Sequence, residues 1–196
     1  CRVENKFRRI IYILLLFIFA VNNPVNAKDY PQAPISARLS ETYIKPTFEI
    51  ENIFINNLHL GKSVVYTRVP RGLIVSIDSL IFFNEGDDKL LNSSKPALKI
   101  IAGILKELEN ECVIESNTNS DSYENSGYDT NWELSTVRAG RIAEYLIKEE
   151  KIPSEKIRAV GFGEMMPFYN HIEHSPDLDR RIDFVIINYE NVLPLN

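Results

Sequence analysis

Three short stretches decide the reading of this chain: Asn131-Trp132-Glu133-Leu134-Ser135-Thr136-Val137-Arg138-Ala139, then Gly161-Phe162-Gly163-Glu164, then Asp179-Arg180-Arg181-Ile182. The first predicts a helix start that carries an arginine. Thr130-x-x-Glu133 has the form of a capping box, and Asn131 is an equally good cap. Ser135, Ala139, Ile142, Ala143 and Leu146 share one face of that helix and suit packing on a sheet. The second stretch predicts a strand that ends in a tight turn. The third predicts a strand that opens with two arginines, which alternation sends to opposite faces. Only one of Arg180 and Arg181 therefore joins a given pocket.

Working outward, Ser63–Val69 and Leu73–Ile77 are β-rich runs around Pro70-Arg71-Gly72 and predict a hairpin. Ser93 or Ser94 caps a second helix that has Pro96 in its first turn. Its apolar face runs through Ala97, Ile101, Ile104 and Leu108. Cys112-Val113-Ile114, Ile157–Val160 and Ile182–Ile187 read as strands. The order β-β-α-β-α-β-β predicts an α+β fold with helices packed on one side of a small mixed sheet.

The N-terminal part reads differently. Lys6, Arg8 and Arg9 precede an apolar run from Ile10 to Val21, with Ala27 at a small-residue site. This pattern predicts a secretory signal peptide over residues 1–27. The alternative is a short membrane anchor, although the run falls short of the ~20 residues that span a bilayer. Residues 28–62, with Pro31, Pro34 and Pro46, read as an extended tether or docking segment. Within them, Phe48–Leu60 is open between a short strand and a partner-binding stretch. Residues 63–190 form the folded domain, and 191–196 a tail.

Composition narrows the function. The formal net charge of −5 advertises no polyanion-binding surface, which argues against nucleic acid. The single Cys112 of the domain sits in an apolar strand pattern and reads as a buried free thiol. His171-x-x-His174 lacks a third ligand and a helical frame, so no metal site is expected. Ser135 has no His/Asp partner nearby, and Asp87, Asp88, Glu107, Glu109 and Glu111 read as solvated faces. Gly161-x-Gly163 lacks the third glycine of a dinucleotide loop. No enzyme and no cofactor is expected.

The chemistry that remains is anion holding. No acid on its own helix stands at ideal spacing from Arg138, and Asn131 lies two turns earlier on the same face. An arginine fork near a helix entrance is a receptor for carboxylates.

At these residues the chain resembles the OmpA/MotB C-terminal family of peptidoglycan-binding domains, over roughly Val64 to Tyr189. The matching pieces occur in order. They are Leu80-Ile81-Phe82-Phe83 with Gly86 and Leu90, then Ser116-Asn117-Thr118-Asn119, then Asn131-x-x-Leu134-Ser135-x-x-Arg138-Ala139. Gly161-x-Gly163-Glu164-x-x-Pro167 and Arg180-Arg181 complete the set. Asn131–Ser135 and the long loop before it are closest to the MotB branch.

The resemblance implies an OmpA-like β/α/β/α/β two-layer sandwich in the periplasm, associated with the outer membrane and cell wall. It implies a pocket for the diaminopimelate of the peptidoglycan stem peptide, lined by Thr118, Asn119, Asn131, Arg138 and Arg180. Peptidoglycan and other envelope or outer-membrane complex proteins are the implied partners. The family's two main contacts are the helix arginine, here Arg138, and an aspartate that closes a Gly-His-Thr-Asp motif. Asn119 stands in that aspartate's place. The substitution motivates a second expectation: a structural subunit of an envelope machine, such as a secretion-system core, with a weakened pocket and residues 28–60 as its docking arm. A proton-driven stator is not expected, since no acid lies between Ile10 and Val21.

Overall fold

The computed structural model describes residues 45–119, 126–170, 173–174 and 178–188. The segments read as signal peptide and C-terminal tail lie outside them, as does His171. Among the described residues, three α-helices, α1 (Thr47–Asn57), α2 (Lys95–Glu107) and α3 (Asn131–Lys148), accompany a five-stranded sheet. The strands are β1 (Val64–Val69), β2 (Gly72–Asp78), β3 (Cys112–Asn117), β4 (Ile157–Gly163) and β7 (Arg181–Ile187), in the order β1-β2-β7-β3-β4. Only β3 and β4 run parallel, joined through α3; the other pairings are antiparallel. The two-residue strands β5 (Tyr169–Asn170) and β6 (Glu173–His174) form a separate ribbon. The α+β architecture with a mixed sheet is as the sequence predicts.

Register explains the core. Leu73, Val75 and Ile77 of β2 face Ile186, Phe184 and Ile182 of β7, and Ile114 and Cys112 of β3 face Phe184 and Ile186. These side chains alternate onto one sheet face and meet Leu98, Ile101, Leu105, Ile142 and Leu146 of the helices. Burial pushes the Cys112 thiol well above its ordinary pKa, so it stays a protonated core group. The opposite face carries a polar row, Ser76–Asp183–Glu115, in direct cross-strand register. Two carboxylates side by side would repel. Arg71 forks onto Glu115 at 2.8 and 3.0 Å, and Arg181 meets Asp183 at 2.9 Å.

One element departs from expectation. The segment 47–57, read as part of an extended tether, is the helix α1. Ile50, Phe54 and Leu58, spaced by four, are buried in the main core. Pro46 sits at the N-cap of α1, where proline's fixed φ starts a helix as readily as it extends a coil. Residues 47–58 therefore belong to the folded body.

Candidate functional site

Four chain ends meet at one edge of the sheet: the C-terminal ends of β2, β3 and β4, and the N-terminal end of β7, with the start of α3 against β4. Thr130 caps α3, its Oγ1 accepting from the Glu133 amide at 3.2 Å, while Glu133 Oε2 accepts from the Asp129 amide at 3.0 Å. Glu133 thus reaches back past the cap to the residue before it, and Asn131 is released for another task. Its Nδ2 donates to Glu164 Oε2 at 2.6 Å.

Gly161 and Gly163 set how closely α3 lies on β4. A Cβ on Gly161 would stand 2.3 Å from the Thr136 nitrogen and 2.6 Å from Ser135 Oγ. Gly163 has φ of 55°, the left-handed region that favours glycine, and its amide donates to Ser135 Oγ at 2.9 Å. The expected tight turn is present. The first glycine has a further role the sequence did not disclose, letting helix and strand backbones touch.

Arg138 is 2% exposed. Its Nε donates to the Asp87 carbonyl at 2.8 Å and one Nη to the Asn84 carbonyl at 3.0 Å, and its carbon Cζ lies 5.2 Å from the Phe83 ring centroid. Loop 84–88 is shaped to offer those carbonyls. Gly86 turns at φ of 67°, and Asp87 Oδ1 accepts from the amides of Asp88 and Lys89. Asp87 is therefore a turn-former, and Asp88 pairs with Arg141 at 3.0 Å. No carboxylate oxygen takes a hydrogen bond from Arg138 among the described residues, and its other Nη has no protein acceptor there. Burial pulls its pKa down to about 10, opposed by Asp87, Asp88 and Glu85. The group stays a cation at neutral pH, stripped of most of its water.

Arg180 lies across the same loop, with Nη1 3.7 Å from exposed Glu85 and a buried Nε that has no partner among the described residues. Arg181 goes the other way, as alternation requires. It is buried, pairs with Asp183, donates to the carbonyls of Met166 and Leu178, and stacks over Phe168 at 5.2 Å. It pins the 164–180 connection to the sheet.

Thr118 is 2% exposed, its amide donates to the Gly163 carbonyl at 2.8 Å, and its Oγ1 is buried without a partner among the described residues. The same holds for Ser116 Oγ and Asn117 Oδ1. Buried polar atoms are nearly always satisfied, so three consecutive exceptions at one strand end mark this edge as unusual. Asn119 follows, half-buried.

The structure brings Arg138 and Arg180 together around loop 84–88, and Thr118, Asn119 and Asn131 together around the end of β4. Seven residues separate the Asn131 and Arg138 backbones by about 10 Å along the axis of α3. A cleft of about 250 Å³ opens at that second group, lined by Asp129, Thr130, Asn131, Trp132, Gly163, Glu164 and Met165. Glu164 and Glu85 were not anticipated as site residues. Position after the second glycine pointed to Glu164, whereas nothing local pointed to Glu85.

An OmpA-like domain is what this fold defines. Residues 82–177 match the OmpA family, and over them the chain carries a domain of that family. The chain is 31% identical over 137 residues to the uncharacterized protein YtxE of Bacillus subtilis, covering 69% of this chain. It is 26% identical over 147 residues to Motility protein B of the same organism, covering 71%. It spans 56% of the length of each relative. The cell wall anchor of the T6SS from Pseudomonas aeruginosa shares the fold, with a TM-score of 0.60 at 16% identity, covering 70% of this chain and 96% of that one.

Proposed function

We propose that this domain grips the diaminopimelate-containing stem peptide of peptidoglycan and thereby anchors an envelope assembly to the cell wall, without catalysis. The observation that carries the reading is Arg138: a desolvated guanidinium fixed by two backbone carbonyls, with one nitrogen left for a ligand. Neutral carbonyls hold the cation in place, and Asp87, Asp88 and Glu85 act on it only through space, so an incoming carboxylate would make its first direct ion pair. Arg180 closes the same end, and Thr118, Asn119 and Asn131 orient the rest of the ligand. The domain works on the outer side of the cytoplasmic membrane, in the periplasm beside the wall.

The test is retention on purified sacculi. Wild type is retained and Arg138→Ala is released, with unfolding curves recorded for both. Equal retention of the two proteins would remove Arg138 from the account.

A second reading, a structural subunit whose pocket has weakened, is favoured by Asn119, since an amide meets an ammonium without charge assistance. In that case sacculus binding is absent and the domain co-purifies with envelope proteins. The docking arm of such a subunit is shorter than residues 28–60, because deleting them would remove Ile50, Phe54 and Leu58 from the core.

A further inference from the structure

Resting on that reading, we infer that Glu164 supplies the carboxylate that receives the ligand's ammonium, the part Asn119 cannot play. The end of β4 lies directly beside the end of β3: the Thr118 amide meets the Gly163 carbonyl at 2.8 Å, so Glu164 follows Gly163 as Asn119 follows Thr118. The two side chains thus project from neighbouring chain ends at one edge of the sheet. Glu164 is exposed, and one oxygen is held by Asn131 Nδ2 at 2.6 Å. That single bond orients the carboxylate and leaves its second oxygen without a protein donor among the described residues.

The charge pattern agrees. The 250 Å³ cleft is lined by two carboxylates, Asp129 and Glu164, and by no lysine or arginine. Trp132, 51% exposed, and Met165, 67% exposed, form its apolar wall. A carboxylate beside an exposed aromatic ring in a cleft free of cations is suited to an alkylammonium group. Arg138 starts two helical turns further along α3, and Arg180 immediately precedes β7, beside the end of β3. The edge therefore offers cations to a carboxylate and an acid to an amine. Diaminopimelate carries both groups, and the short alkyl chain between them fits the apolar wall.

The experiment measures binding of a synthetic N-terminally acetylated L-Ala–γ-D-Glu–diaminopimelate tripeptide by calorimetry, beside the same peptide acetylated also on its diaminopimelate amine. Wild type prefers the free amine by about tenfold or more, the margin between a charge-assisted and a neutral hydrogen bond. Glu164→Gln keeps the bond to Asn131 in shape but loses the charge, so its preference falls toward unity while its unfolding curve is unchanged. Adding Asn119→Asp to Glu164→Gln restores the preference. If Glu164→Gln discriminates between the peptides as wild type does, the assignment of Glu164 is wrong, while the anchoring role stands. If wild type binds neither peptide, the stem-peptide reading and this inference both fall.

Discussion

Replacing Gly161 by alanine tests the contact on which the site's geometry depends. The new methyl group would lie 2.3 Å from the Thr136 nitrogen and 2.5 Å from Thr136 Oγ1. Both belong to α3, and the nearer is backbone, so no rotamer change relieves it. The helix must move off β4. Overpacking of this kind costs about 1–3 kcal/mol. The shift also stretches the 2.9 Å bond from the Gly163 amide to Ser135 Oγ, worth about 0.5–1.5 kcal/mol. The total is roughly 2–4 kcal/mol, against the ~5–15 kcal/mol typical of a whole domain. At about 2–4 °C per kcal/mol, the melting temperature falls by about 5–15 °C. Because α3 carries Arg138 and Asn131, sacculus retention should fall at temperatures where the variant is still folded. Gly140 and Gly103 serve as controls. Both are helical with open space around a built Cβ, so Gly140→Ala and Gly103→Ala should each stabilise by about 0.5–1 kcal/mol. Thermal unfolding by circular dichroism reads all three. A Gly161→Ala protein that melts within a degree or two of wild type would refute the close helix–strand contact.

Other outcomes follow from the same structure. Phe54→Ala removes a fully buried ring of α1 and should cost about 3–5 kcal/mol in chemical denaturation, whereas a tether residue would cost nothing. Thr130→Ala removes the α3 cap and should cost about 1 kcal/mol by the same measurement. Arg181→Met strands buried Asp183 without its partner and should cost about 3–5 kcal/mol near neutral pH. Burial already pushes the Asp183 carboxyl above its ordinary range, and losing Arg181 pushes it further. A folded-state pKa raised above the unfolded one means stability is lost as pH rises through that window. The deficit of Arg181→Met should therefore shrink as pH is lowered toward the carboxylate range, and a deficit that widens there would contradict the pairing.

What the sequence disclosed was local. The capping box Thr130-x-x-Glu133, the apolar stripe of α3 and the β-rich runs each fixed an element, because capping and periodicity act over a few residues. The split of Arg180 from Arg181 followed from strand alternation alone. α1 was hidden because Pro46 and the Asn-rich stretch 56–57 signal coil, while the spacing of Ile50, Phe54 and Leu58 signals helix only if it is counted. Arg138 was legible as a residue but its partners were not. They are main-chain carbonyls of Asn84 and Asp87, more than fifty residues away, and any side chain could have supplied them. The Asn131–Glu164 bond was unreadable for a similar reason, since it exists only because β4 returns beside the start of α3.

The measurement that reaches the central claim most directly is a titration of the labelled protein with the diaminopimelate tripeptide, following the Arg138 Nε–H signal by NMR. The account predicts a saturable shift of that signal and slower solvent exchange, at the same concentration that releases the protein from sacculi. An Arg138 signal that stays in place while the peptide binds elsewhere would contradict it.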